Sequence, residues 1–261
     1  MNGPRQRIAV LPLGATEQHG PHLPADTDWM IAEEVARRLA AAVGERLPAV
    51  DLQILPVEKI GYSPEHLDFA ATRSLGFAQA AERWIAVGEG LAREGVRKLI
   101  LLNAHGGNSP LMTVVATELR VRHSMLCVAT SWTRHLRSGA VGDKEREIGI
   151  HGGTVETSVM LAIAPERVDR TKAGDFPSFQ EALARRHRNL RAYGPHAFGW
   201  KIADLNAQGA VGNAAGASAR KGEALLAMAV EGLASLVGDV AAFDLAHFDA
   251  ADQAGDRQRG R

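Results

Sequence analysis

Apolar positions along the chain follow two rhythms. A short, almost wholly apolar run rich in branched residues at Ile8 to Leu13 predicts a strand covered on both faces, and Leu52 to Val57, Lys98 to Leu102 and Leu126 to Ser131 read as three more strands. Trp29 to Ala42 and Phe77 to Glu94 instead read as helical stretches, the second closed by Gly95 where a C-terminal cap belongs. Pro110 fits a first helical turn that Leu111 to Val121 continues, and Thr154 to Ile163 and Ala219 to Val237 predict two more helices. The segment from Gly61 to Leu75 has no periodicity and reads as a loop, and Gly139 to Gly149 as a charged one. Phe176 to Gly216 is poorly patterned and rich in Arg, Gly and Ala, so it predicts a long surface excursion with some helix.

Strands alternating with helices predict an α/β fold, a three-layer α/β/α arrangement on a mainly parallel sheet. Sites in such sheets lie beyond the carboxyl ends of the strands. At 261 residues with 46% hydrophobic content, the expectation is a single catalytic domain over residues 1–248 and a polar tail over 249–261. No apolar run approaches the ~20 residues that span a bilayer, and Pro12 breaks the stretch that would imitate a secretory signal. A cytoplasmic protein with no membrane partner is expected.

Charge narrows the partners. Lys plus Arg and Asp plus Glu are 30 each, so no basic field gathers nucleic acid, and a small-molecule substrate fits better. Near-zero net charge also permits self-association. Cys127 is the single cysteine and lies in an apolar run, which excludes an internal disulfide and a thiolate zinc cluster and predicts a structural thiol.

Polar clusters follow the strands. After the first comes Gly14 to Asp28, in which Glu17 and His19 are two apart and share a side in extended chain. A carboxylate and an imidazole there suit zinc or manganese, Asp28 can join them, and one Asp can bridge two ions. The plainer reading makes them loop polar groups, with Asp26 and Asp28 capping the next helix. After the third strand, His105 is followed by Gly106 and Gly107, which leave room for an ion, although the segment also suits a simple turn. In the stretch from His151 to Ser158, Glu156 falls in a first helical turn, where it would stabilise the helix, serve as a ligand, or act as general base. His151 would protonate a leaving nitrogen or hold the substrate carbonyl. His66, in the loop from Ser63 to Thr72, is a candidate pocket residue or simply solvated. No G-x-S-x-G elbow, G-x-G-x-x-G or G-x-x-x-x-G-K segment occurs, which argues against a serine hydrolase and a nucleotide-binding protein.

Taken together, GATEQHGPHLP with Asp28, NAHGGN and HGGTVETS resemble the creatininase family in order and spacing. The resemblance implies metal ligands at Glu17, His19, Asp28 and His105, with Asp28 bridging, Glu156 as further ligand or base, and His151 as a catalytic or substrate-contacting residue. It implies two divalent ions per subunit, zinc, manganese or iron, and often a homohexamer. Thr72 in the substrate loop and Trp132, which matches a family aromatic, are expected to contact substrate alongside His66.

The departures separate activity from family. Where creatinine-hydrolysing members carry Tyr and Glu after the histidine, this chain has Gly106 and Gly107, and where they carry Trp-Asp it has Glu147 and Ile148. Their Phe-Pro-Gly-Thr appears as Phe69-Ala70-Ala71-Thr72. The expected activity is metal-dependent hydrolysis of a non-peptide C–N bond, in a cyclic amide or formamide, through a water bridging the ions. The alternatives are an inactive metal-stabilised binding or assembly subunit, or a peptide-trimming member of the family.

Overall fold

The computed structural model describes residues 5–137 and 139–249. Four parallel strands, β1 (Gln6–Leu13), β2 (Val50–Ile54), β3 (Lys98–Asn103) and β4 (Leu126–Ser131), form a sheet in the order β2-β1-β3-β4. Side chains alternate strictly across it. Ile8, Val10, Ile100 and Leu102 pack into a layer with α1 (Thr27–Arg46), α5 (Thr154–Ile163) and α8 (Ala219–Ala242). Ala9, Leu11, Leu13, Leu99 and Leu101 pack on the other face against α2 (Phe77–Arg93) and α3 (Ser109–His123). Burial on both faces is why the central strands β1 and β3 read as solid apolar runs, whereas the edge strand β2 alternates half-buried and exposed positions.

Pro12 sits inside β1 without breaking it. Its carbonyl accepts from Glu58 N, so its missing donor faces the side where β2 has already ended at Ile54. Ala219–Ala242 is long and apolar enough to cross a membrane, with mean hydropathy 1.7, contrary to the expectation from the sequence. Its many Ala, Leu and Val residues raise the average, and Leu225, Leu226, Leu233 and Val237 are buried in the core.

Three expectations change. The charged loop contains a helix, α4 (Asp143–Ile148), with Glu145 buried among backbone donors. Asp26 stands at the N-cap of α1 but makes no cap bond, because its carboxylate accepts from Trp29 Nε1 and pairs with Arg167. The stretch from Phe176 to Gly216 is no mere surface excursion. It begins at β5 (Asp175–Phe176), continues through α6 (Phe179–Arg186) and α7 (Ile202–Leu205) to β6 (Gly212–Asn213), and buries Leu183, Ala192, Ile202, Leu205 and Val211 in a core of its own. The expected tail lies outside the described residues apart from Asp249, which pairs with Arg97.

Candidate metal centre

The cluster forms where the chain leaves β1 and β3 and enters α1 and α5. Two asparagines hold those exits together. Asn103 accepts from His105 N, while Asn108 donates to the Gly14 carbonyl and accepts from Tyr62 N, tying three loops to one point. Glu145 fixes the α5 side by accepting from Thr154 N and Asn213 N, which anchors the positive end of that helix.

Three histidines turn their outer nitrogens to backbone carbonyls. His19 Nδ1 lies 2.9 Å from the Glu17 carbonyl, His105 Nε2 3.0 Å from that of Tyr62, and His151 Nε2 2.7 Å from that of Gln18. A carbonyl only accepts, so these bonds place the proton on the outer nitrogen of each neutral ring and leave the inner one as a lone pair.

The inner nitrogens face carboxylates. His19 Nε2 lies 3.0 Å from Asp28 Oδ1, and His105 Nδ1 lies 3.1 Å from Glu17 Oε1 and 3.4 Å from Asp28 Oδ2. His151 Nδ1 is 3.6 Å from Glu17 Oε1, and Glu156 Oε2 is 3.8 Å from His19 Nε2. Neither Glu17 oxygen, nor Asp28 Oδ2, has a hydrogen-bond donor, and both residues are buried. Buried acceptors facing acceptors call for positive charge between them, a metal ion or a proton. The donor set of imidazole nitrogen and carboxylate oxygen fits zinc or manganese.

Electrostatics express the same demand through protons. Burial disfavours charge on Glu17, but the neighbouring His105, with help from His66, brings its carboxyl down to about 2. Burial likewise opposes protonation of His19, yet Asp28, Glu156 and Glu17 lift it to about 10. His105 is raised well above its ordinary value against its own burial, chiefly by Glu17 and Asp28. Burial pushes Glu156 up to about 7, and burial beside His19 and His66 holds His151 well below the usual imidazole value.

Two cavities meet at the cluster. The larger, about 1050 Å³, is floored by Glu17, His66, His105 and His151 and walled by Tyr193, Phe198 and Trp200 from the segment between α6 and α7. The smaller, about 540 Å³, reaches Glu156 and is bounded by Trp132, while Gly106 and Ile150 line both.

Glu17, His19, Asp28, His66, His105, His151 and Glu156 thus come together in space. The His66 ring lies tilted against that of His151 with ring centroids 4.3 Å apart, and its Nε2 is 3.5 Å from Glu17 Oε1. Thr72 is not brought to the cavity wall; its hydroxyl accepts the Gln18 N–H. Trp132 is largely buried against the α1/α5/α8 layer and meets only the smaller cavity. Glu65 and the aromatic wall carry no expectation from the sequence. Glu65 stands in a non-periodic loop, and Tyr193, Phe198 and Trp200 follow no helical or strand spacing. Cys127 is half-buried, and burial pushes its thiol up to about 12, which leaves it unreactive.

A parallel sheet between two helical layers, with a buried carboxylate–histidine cluster beyond its strand ends, defines a class of metal-dependent hydrolase. The family model described as creatinine amidohydrolase matches residues 3–237, and the chain belongs to the creatininase family. A mycofactocin precursor peptide peptidase of Mycobacterium tuberculosis is 38% identical over 64% of this chain and 63% of its own length. The creatinine amidohydrolase of Pseudomonas putida is 29% identical over 88% of each chain. Among solved structures, a creatinine amidohydrolase (creatininase) superposes with TM-score 0.72 at 29% identity over 92% of both chains. One from Bacteroides fragilis, described as a creatinine amidohydrolase, gives 0.75 at 28% identity, again over 92% of both. Others in this group are a manganese form and a zinc–zinc form of creatininase.

Proposed function

We propose that the protein is a metal-dependent amidohydrolase whose ions are held by Glu17, His19, Asp28, His105 and Glu156. The observation that carries this reading is the set of inner histidine nitrogens facing carboxylate oxygens that have no donor. A pair of divalent ions supplies Lewis acidity and a water acidified towards neutrality.

The chain's own groups do the rest. Glu156, next to the inner nitrogen of His19, accepts the water's proton and passes it to the leaving nitrogen. His151 stays neutral with its Nε2–H held by Gln18, which leaves Nδ1 as an acceptor, so its role is to orient an N–H or O–H group in the site rather than to deliver a proton. His66 packs on His151 and keeps that ring in place.

The substrate reading shifts with the cavity. About 1050 Å³ stands at the upper end of the roughly 300–1000 Å³ usual for small-molecule sites. Its wall combines aromatic rings with the charged pair Lys201–Asp68 at 3.0 Å. These features favour an amide carried on a larger, peptide-like molecule over a free cyclic amide or formamide. The peptidase relatives point the same way.

Two measurements test this. Metal analysis of Glu17→Ala, His19→Ala and Asp28→Ala should show lost ions, and full occupancy in all three would sink the site. Turnover of short peptides against cyclic amides and formamides, with manganese or zinc, should favour the peptides.

A further inference from the structure

Three carboxylates, rather than two, reach the His105 end of the cluster. Besides Glu17 and Asp28 there is Glu65, the middle residue of a single 3-10 turn from Pro64 to His66. Its side chain is only 16% exposed, lines the larger cavity, and brings Oε1 to 3.6 Å from His105 Nε2. Among the described residues no Lys or Arg pairs with it.

Glu17, Glu65 and His105 offer ligand atoms that all lie within 4.8 Å of one another. His19, Asp28 and Glu156 offer the same spacing at the opposite end. Position 107 explains how Glu65 gets there. A Cβ on Gly107 would stand 2.6 Å from Glu65 Oε1 and 2.5 Å from both His105 Nε2 and the Tyr62 carbonyl. Glycine therefore leaves open the space into which Glu65 reaches, and it also protects the bond that fixes the His105 tautomer.

We propose that Glu65 is a metal ligand, closing the coordination of the ion at Glu17 and His105 from the cavity side. The inference rests on the metal-centre reading above. Each end of the cluster then receives one imidazole and two carboxylates: His105 with Glu17 and Glu65, and His19 with Glu156 and Asp28. Asp28 is shared between the ends through its second oxygen.

The test counts ions in Glu65→Gln, which keeps size and shape but removes the anionic donor. Wild-type protein reconstituted with manganese should hold two ions per chain and give an exchange-coupled electron paramagnetic resonance spectrum. Glu65→Gln should hold one firmly and the second more than about 100-fold more weakly, beyond the 10- to 100-fold that losing an outer-shell partner of His105 Nε2 would cause. Its spectrum should become that of isolated manganese. Circular dichroism checks the fold, and Glu65→Asp, which keeps the charge at shorter reach, should show the same loss in milder form. Two ions bound in Glu65→Gln with coupling kept and affinity within about 100-fold of wild type would overturn the proposal while leaving the metal centre standing. Wild-type protein that holds no ion would overturn both.

Discussion

Asp28 stands between two histidines and offers each a different oxygen, Oδ1 at 3.0 Å from His19 Nε2 and Oδ2 at 3.4 Å from His105 Nδ1. No other carboxylate of the cluster touches both rings in this way. Asp28→Asn should therefore release both ions, while Glu17→Gln should weaken mainly the one at His105. Metal content after gel filtration separates the cases, and activity should fall by at least about 100-fold in Asp28→Asn.

Glu156→Gln keeps an oxygen next to His19 but cannot carry a proton. A fall in kcat of about 10²- to 10⁴-fold with little change in KM is expected. A rise in KM at unchanged kcat would show that Glu156 binds substrate and moves no proton.

Removing the ions should destabilise the fold, because Glu17 and Asp28 would keep buried oxygens without donors. Chelator-treated protein should melt at lower temperature, and added ion at 100 times its Kd should restore about 2.7 kcal/mol. An unchanged melting temperature would argue against ion binding in the folded state.

His22 should contribute to the acid sensitivity of the ion-free protein alongside His66 and His151, which burial also holds low. It is buried, its Nε2 bonds Thr157, its Nδ1 has no partner, and burial drives its pKa from the usual 6.5 to about 4. The folded value lies below the unfolded one, so the unfolded chain takes up the proton first as pH falls. Stability from the neutral ring is therefore full above 6.5 and lost between 6.5 and 4. Urea midpoints of chelated protein across that window should fall less steeply in His22→Gln. An equal slope would remove His22 from the account.

Trp200 lines the cavity, held by its Nε1–H on the Ala192 carbonyl at 2.7 Å. Trp200→Ala should raise KM roughly tenfold, about 1.4 kcal/mol, with metal content intact. A loss of ions instead would mean that the wall supports the cluster as well as the substrate.

The sheet and the cluster were legible to different degrees. Solid apolar strands such as Lys98–Asn103 announce themselves because both faces are buried, and Glu17 and His19 can be read from their spacing at a strand exit. The helix Asp143–Ile148 escapes because six mostly charged residues between glycines carry no amphipathic period, and its buried Glu145 works only through backbone donors folded in from elsewhere. Thr72 failed as a pocket residue because a motif gives sequence neighbours and not the direction of a hydroxyl, here turned to Gln18. The wall formed by Tyr193, Phe198 and Trp200 depends on tertiary burial, which leaves no period to read.

The wall and the ligands come from separate parts of the chain. Every proposed ligand precedes Ile163, whereas the aromatic wall comes from the stretch between α6 and α7. Mutations in the later stretch can retune which molecule is admitted without disturbing a single ion-binding atom. A lineage that keeps one hydrolytic centre can thus change diet by rewriting about a dozen residues around Tyr193 to Asp204, and this is where divergence in selectivity between relatives should be sought.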